Sequence, residues 1–166
     1  MMNTNLEEVE MLKFKQTYNY LQFKELFVSS GLEFNLDETG EKPEGFMVAY
    51  ECKNSNGEIL GAAAICKRTG CFVLQDIAVS DLERGKGIGE ILLHKCMNKM
   101  EALGAEKIYL TAKEPKFFER YGFEYLDENN VPDIFSCLNC RQYGIECMPK
   151  FMAYSFGLEN LILSNQ

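Results

Sequence analysis

The hydrophobic pattern changes along the chain from short apolar runs to longer segments with a helical period. In residues 46–79, "FMVAYECKNSNGEILGAAAICKRTGCFVLQDIAV", three apolar runs are separated by polar, glycine-containing turns at residues 54–57 and 68–70. Apolar runs bounded by turn residues are typical of consecutive antiparallel strands. The first half of the chain is therefore predicted to form hairpins.

A helix is predicted before these hairpins, over residues 17–31. Its spacing places Tyr20, Phe23 and Phe27 on one face. Gly31 follows them and is suited to end the helix, because glycine adopts the left-handed conformation of a helix C-terminus. This face is expected to pack on the sheet.

The longest predicted helix covers residues 87–103. Its apolar side chains recur every three or four residues, which brings them onto one side of the helix. They are Ile88, Leu92, Cys96, Met100 and Leu103. A further, short helix is predicted over residues 114–122, closed by Gly122.

Three more strands are predicted between and after these helices, over residues 106–112, 123–126 and 150–156. The apolar run in residues 106–112, "EKIYLTA", predicts a strand buried on both faces. Because strands alternate with helices in this half, the chain is predicted to form a mixed α/β sheet with at least one parallel crossover.

Composition and charge narrow the class of protein. The 166 residues suit a single domain, 1–166, and their 46% apolar content is enough for a core. The net charge of −8 argues against nucleic acid or an anionic membrane as partner. No apolar run approaches the ~20 residues of a membrane span, and the start "MMNTNLEEVE" is unlike a signal peptide. We therefore expect a cytoplasmic protein whose seven cysteines are reduced thiols.

A glycine-rich, basic turn, "RGKGIG" at residues 84–89, joins a strand to the helix over 87–103. A helix N-terminus presents unpartnered backbone N–H groups and the positive end of the dipole. Glycines there let a phosphate approach the backbone, and Arg84 and Lys86 add positive charge. The turn fits neither the phosphate loop of nucleotide hydrolases nor the dinucleotide fingerprint, since Glu90 replaces the third glycine of the latter. It is therefore a candidate pyrophosphate cradle, with a turn that binds nothing as the alternative.

Two motifs resemble those of the GNAT superfamily of acyl-CoA-dependent N-acetyltransferases. "RGKGIG" after "DIAV" is similar to the acyl-CoA signature Arg/Gln-x-x-Gly-x-Gly/Ala, and "FFERYGFE" at residues 117–124 is similar to the second motif of the superfamily. The resemblance implies the α/β (α+β) GNAT fold, a mixed, strongly twisted sheet of about six or seven strands flanked by helices and splayed at the central parallel pair. It also implies direct transfer of acetyl from acetyl-CoA to a primary amine of a small molecule or an amino acid.

The resemblance further implies how the cofactor is held. Backbone N–H groups of the turn would bind the pyrophosphate, and backbone groups of the preceding, bulged strand would pair with the pantetheine arm like an added strand. The cofactor-binding candidates are Ile77, Ala78, Val79, Arg84, Gly85, Lys86, Gly87, Ile88, Gly89 and Phe118.

Neither of the superfamily's common acid and base positions holds a titrating group in this chain. The position that is often glutamate holds Gln75, and the position that is often tyrosine holds Phe118. Asp76 can accept a proton, but strand alternation puts it on the opposite face from Gln75 unless a bulge intervenes. Gln75 and Asp76 are the catalytic candidates, with transfer resting mainly on positioning and water carrying protons. A CoA-binding sensor without turnover is the alternative function.

A cysteine-containing loop at about residues 131–149 is predicted before the last strand. It contains Cys137, Cys140 and Cys147. The first two are separated by two residues, which is the spacing found in structural zinc sites, and thiolates are preferred zinc ligands. Because only three ligands are evident, reduced thiols in an irregular loop are the alternative to zinc. A metal- or redox-responsive module that uses this loop is a further candidate function.

Four acidic residues follow the first helix, where relatives often build the acceptor site. They predict a solvated loop in preference to a cation pocket. These residues are Asp37, Glu38, Glu41 and Glu44. The oligomeric state stays open, with a homodimer as one option.

Overall fold

The computed structural model describes residues 11–135 and 150–157, which form one seven-stranded sheet flanked by helices. The strands are β1 (Lys13–Thr17), β2 (Phe46–Lys53), β3 (Ile59–Arg68), β4 (Cys71–Val79), β5 (Lys107–Ala112), β6 (Glu124–Tyr125) and β7 (Lys150–Ser155). The helices are α1 (Lys24–Ser29), α2 (Ile88–Ala102) and α3 (Pro115–Glu119). Short 3-10 turns occupy Leu21–Phe23, Asp81–Glu83 and Glu128–Asn130.

The strand order is β1-β2-β3-β4-β5-β7-β6. Strands β1 to β4 are antiparallel neighbours in chain order, which confirms the predicted hairpins. Helix α2 carries the chain from β4 to β5, and these two strands pair in parallel, which confirms the mixed α/β sheet and its crossover. Within the two described ranges, no helix is both long enough and apolar enough to span a membrane.

Strand β1 is not predicted by the hydrophobic pattern. It pairs antiparallel with β2, from Lys13 opposite Lys53 to Thr17 opposite Ala49. It lies at the edge of the sheet, and its residues are exposed or half-buried. An edge strand that buries so little side-chain surface carries almost no apolar signal, which is why the pattern missed it.

The first predicted helix is wrong in length but right in its buried face. Thr17 ends β1, and its hydroxyl accepts a hydrogen bond from the Asn19 N–H at 3.2 Å, so the chain turns before a helix can begin. A 3-10 turn then leads into the six residues of α1. The aromatic side chains that were predicted to share a face are all buried: Tyr20, Phe23 and Phe27.

Helix α2 matches its prediction closely and packs on one face of the sheet. Four of the five predicted apolar positions are buried: Ile88, Leu92, Cys96 and Met100. The fifth, Leu103, is 44% exposed because the helix ends at Ala102, whereas Leu93 is buried although it was not predicted. The opposite face of the sheet presents small side chains, over which the aromatic residues near α1 pack: Ala49, Ala62, Ala64 and Ala78.

The sheet separates at its central parallel pair, as the GNAT resemblance predicts. Backbone pairing between β4 and β5 joins Phe72 to Ile108 and Val73 to Tyr109 and extends no further in the described chain. Strand β5 buries one face completely, whereas on its other face Lys107 is exposed and Tyr109 and Thr111 are half-buried. The prediction that the strand is buried on both faces is therefore confirmed for one face and wrong for the other.

A β-bulge in β4 lies where the two strands separate. In the pairing with β3, Asp76 lies opposite Ala64 and Leu74 lies opposite Ile65, so Gln75 is the extra residue. Leu74 packs in the core under α2, whereas Asp76 bonds Tyr20 on the α1 side. Without the bulge, residues 74 and 76 would share a face.

Candidate functional site

The separation of β4 from β5 opens a cleft with a volume of about 760 Å³. It is lined by β4, by the turn before α2, by the end of β5 and by α3. Both catalytic candidates line it, and so does every predicted cofactor-binding candidate except Lys86. The fold therefore brings together residues that the sequence spreads over more than forty positions.

The glycine-rich turn presents open backbone to this cleft. Gly85 and Gly87 have φ angles of 81° and 83°, in the left-handed region that favours glycine. A Cβ atom at either position would meet nothing within 4 Å, so the space beside the backbone is free. Gly87 caps α2 without a side-chain hydrogen bond, which leaves the N–H groups of the first turn available to an anion.

The two cations of the turn are held by carboxylates. The Arg84 guanidinium lies 3.3 Å from carboxylate oxygens of both Asp81 and Glu114. The Lys86 ammonium lies 2.7 Å from Glu83, which lines the cleft, although Lys86 itself is not among the lining residues. The two Arg84 pairs are largely exposed, and exposed ion pairs contribute only about 0–1 kcal/mol, so a phosphate can compete with Asp81 and Glu114 at little cost.

Gln75 lies at the bulge, half-buried. Its side-chain oxygen accepts a hydrogen bond from Nη2 of Arg68, the last residue of β3. A neutral amide cannot take a proton from a substrate, but an amide fixed at its oxygen can orient a ligand or a water through its nitrogen.

Asp76 is 4% exposed, and its Oδ2 accepts a hydrogen bond from the Tyr20 hydroxyl at 2.6 Å. Burial raises the pKa of Asp76 from 3.8 to about 7, against the opposing effects of the Tyr20 hydrogen bond and the Arg68 charge. A carboxyl with a pKa near neutrality, at the wall of a cleft, has the properties of a general base.

Phe118 is 6% exposed and packs edge-on to Phe117 and Phe123, with ring centroids 5.1 Å and 5.7 Å away. It lines the cleft but offers no proton. Tyr121, three residues later, also lines the cleft and packs against Phe117. A tyrosine therefore lines the cleft, at a position other than the expected one.

A second cavity of about 640 Å³ shares Gln75 and Phe135 with the cleft as lining residues. Arg68 lines this second cavity. Sequence reasoning singled out neither Arg68 nor the role of Tyr20 as a hydrogen-bond donor, because both act through residues distant in the chain. The acidic loop reaches the cavity with Asp37, Glu38 and Glu44 but not with Glu41.

The predicted zinc ligands Cys137, Cys140 and Cys147 lie outside the described residues. Among residues 11–135 and 150–157, no group of three or more His, Cys, Asp or Glu side chains could hold a metal ion. The cysteines in these ranges are free thiols, as predicted, and three of the four are buried: Cys52, Cys66 and Cys96.

Comparison with known proteins identifies relatives of this chain. An uncharacterized N-acetyltransferase of Chlorobaculum tepidum is 26% identical over 87 residues, which are 51% of this chain and 56% of that relative. The chain therefore aligns with little more than half the length of this curated relative.

Solved structures share the fold. The N-acetylglutamate synthase from Neisseria gonorrhoeae, complexed with coenzyme A and N-acetyl-glutamate, matches with a TM-score of 0.67 and 16% identity, over 89% of this chain and 35% of that chain. A GNAT-family acetyltransferase from Staphylococcus aureus Mu50 matches with a TM-score of 0.65 and 17% identity, over 89% of this chain and 100% of the other.

The sequence profile of the acetyltransferase (GNAT) family matches residues 6–123, which is more than half of the chain. The splayed parallel pair and the glycine turn before α2 agree with the implications of the two motifs. The chain belongs to the acetyltransferase (GNAT) family.

Proposed function

We propose that this protein transfers an acetyl group directly from acetyl-CoA to the primary amine of a small molecule or an amino acid. The observation that carries the proposal is the cleft between β4 and β5, which joins an open glycine turn to a buried carboxyl. Family membership supports it, as does the coenzyme A in the complex of the gonococcal synthase. Residues 1–166 are proposed to form a single domain.

The cleft has features that fit coenzyme A. The backbone at Gly85 and Gly87 is open to a pyrophosphate, and the α2 dipole favours an anion there. From Leu74 to Val79, β4 has no β5 partner in the described chain, so its backbone can pair with the amide groups of a pantetheine arm. Acetyl-CoA would supply the acetyl thioester at the inner end, beside the bulge.

Asp76 is proposed as the general base. An amine must lose a proton to become a nucleophile at neutral pH, and a carboxyl with a pKa of about 7 is suited to accept that proton. Asp76 accepts the proton that the ammonium form of the acceptor loses and releases it to water. As the new C–N bond forms and the thioester C–S bond breaks, the second amine proton passes through water to the leaving thiolate. Gln75, held at its oxygen by Arg68, orients the amine or a water.

A thiol-release assay with acetyl-CoA and a panel of primary amines tests this function. We expect turnover by the native protein and a loss of roughly 10²-fold or more in kcat/KM for Asp76→Asn, the usual contribution of a general base. Glu51→Gln is the matched control, because Glu51 is 5% exposed and lies on β2, away from the cleft lining. Binding of coenzyme A without thiol release for any amine would favour the alternative, a sensor.

A further inference from the structure

The positively charged guanidinium of Arg68 is held in place by neighbouring groups that do not neutralise its charge. Its Nε donates to the Glu44 carbonyl oxygen at 3.0 Å, its Nη1 donates to the Ile134 carbonyl oxygen at 3.0 Å, and its Nη2 donates to the Gln75 amide oxygen. All three acceptors are neutral, and no carboxylate of the described residues forms an ion pair with this guanidinium. The guanidinium is therefore fixed in place by three separate segments of the chain.

This fixed charge lies beside the proposed reaction centre. Arg68 lines the second cavity, and its partner Gln75 lines both that cavity and the cleft. Asp76 follows Gln75 directly, and the Arg68 charge lowers the pKa of Asp76, as expected of a nearby cation. An anionic group bound by Arg68 would thus lie next to the position where the amine loses its proton.

Arg68 keeps donors for such a group. A guanidinium has five N–H donors, and three are used in the observed hydrogen bonds. The remaining two lie one on each terminal nitrogen, so the guanidinium can still donate to a carboxylate.

We infer that Arg68 binds the α-carboxylate of an α-amino acid acceptor. In such an acceptor a single carbon joins the carboxylate to the amine, so a carboxylate on Arg68 places the amine at Gln75 and Asp76. This inference rests on the proposed function, which it narrows from primary amines in general to α-amino acids.

The same cavity disfavours a second carboxylate on the acceptor. Its lining includes the exposed acidic residues Glu38, Glu44 and Asp133. Asp37 also lines it, but its carboxylate accepts hydrogen bonds from the Thr39 N–H and hydroxyl. Like charges repel across such a cavity, so neutral or basic amino acids should bind better than glutamate.

Leucine, lysine and glutamate, each compared with its own α-carboxamide, test the inference. Binding to the protein–CoA complex is measured by calorimetry, and acetylation is measured by thiol release. We expect each acid to exceed its amide at least tenfold in affinity, with leucine and lysine ahead of glutamate. The amine of the carboxamide is less basic, so a larger fraction of it is neutral and nucleophilic. On amine reactivity alone, the carboxamide would therefore be acetylated faster than the acid.

Variants of Arg68 separate recognition from structure. Arg68→Gln should remove the preference for acid over amide, and Arg68→Lys, which keeps the charge, should restore part of it. Lys15→Gln, an exposed charge on β1, is the control for net charge. A merely structural role of Arg68 would weaken acid and amide equally and leave their ratio unchanged.

The two proposals fail in different ways. Acetylation of acids and amides at equal rates, or an unchanged ratio in Arg68→Gln, would overturn the role of Arg68 while acetyl transfer stands. Preferential binding of the acids without thiol release would support the role of Arg68 and overturn acetyl transfer. If none of the three acids binds to the protein–CoA complex, the role of Arg68 is overturned.

Discussion

Asp76 and Tyr20 form a hydrogen-bonded pair under α1, fifty-six positions apart in the chain. Burial, followed by the neighbouring Asp76 carboxyl, raises the pKa of Tyr20, so the hydroxyl stays protonated and remains the donor. That hydrogen bond favours the charged form of Asp76, whereas burial opposes it. In the proposed mechanism, this pair thus sets the pH at which Asp76 acts as the base.

Replacing Tyr20 with phenylalanine should change this pH. Tyr20→Phe removes a donor to the carboxylate, so the pKa of Asp76 should rise above about 7. The acidic limb of kcat/KM against pH should therefore move to higher pH, measured by thiol release. Tyr18→Phe is the control, because Tyr18 is 70% exposed. An unmoved limb in Tyr20→Phe would contradict the assignment of Asp76 as the base.

The raised pKa of Asp76 also predicts a change in stability with pH. The folded state holds the proton up to about pH 7, whereas an unfolded chain releases it near 3.8. Proton binding by Asp76 therefore stabilises the folded state fully below the unfolded pKa of 3.8, and this stabilisation is lost as the pH rises through the folded pKa of about 7.

The Asp76→Asn variant should not lose stability over this pH range, because an amide does not ionise. Relative to the native protein, its free energy of unfolding should rise between about pH 4 and pH 7, by up to several kcal/mol, since each pKa unit is worth about 1.4 kcal/mol. Urea unfolding at both ends of this range measures the difference. Asp81→Asn, in an exposed 3-10 turn, should show little change, and a similar rise there would argue against a buried origin.

At the scale of elements, the N-terminus of α2 is the proposed binding site of the pyrophosphate. The helix begins at Ile88, directly after Gly87 in the left-handed conformation. Its first three residues, Ile88, Gly89 and Glu90, line the cleft. Gly89 has no side chain, and a Cβ there would lie 3.5 Å from Val79 and 3.6 Å from Phe117. The junction thus combines a helix dipole, free N–H groups and open space.

Gly87→Val should weaken binding of coenzyme A at least tenfold, which is about 1.4 kcal/mol. The branched side chain would occupy the space beside the backbone that a pyrophosphate needs. Gly104→Val is the matched control, since Gly104 has a φ of 95° and equally open surroundings but lies outside the cleft lining. Calorimetric titration measures both variants, and equal affinities would show that the cradle is elsewhere.

At the scale of the whole molecule, two cavities meet at the interruption of the sheet. The cleft and the second cavity share Gln75 and Phe135. Each of these residues lies where regular structure is interrupted, one at the bulge and the other after the last 3-10 turn. The proposed cofactor and acceptor would therefore enter from separate cavities and meet at one point.

Binding in the cleft should stabilise the whole fold. A ligand that binds only the folded state raises its stability by RT ln(1 + [L]/Kd), about 2.7 kcal/mol at a hundredfold excess over Kd. The melting temperature should therefore rise steadily with the concentration of acetyl-CoA. NAD and ATP should raise it less, and no shift at saturating coenzyme A would remove the basis of the proposed function.

Local patterns in the sequence were sufficient to predict the elements with strong hydrophobic periodicity. Helix α2 begins and ends within one residue of its prediction, and strands β2, β3 and β4 lie where the apolar runs predicted them. The glycine turn was also predictable, because its conformation depends on its own residues. The edge strand β1 was not, since its pairing with β2 depends on backbone hydrogen bonds that leave little trace in side-chain type.

The tertiary structure alone decided the environment of the site. The glycine motif and the apolar periods determined the α/β fold and the place of the proposed phosphate cradle, since each depends on neighbours in the chain. The bulge at Gln75, the burial of Asp76 under Tyr20 and the fixing of Arg68 by three segments depend on contacts between distant residues. The pKa of Asp76 and the charge beside it follow from those contacts, so no local pattern could specify them.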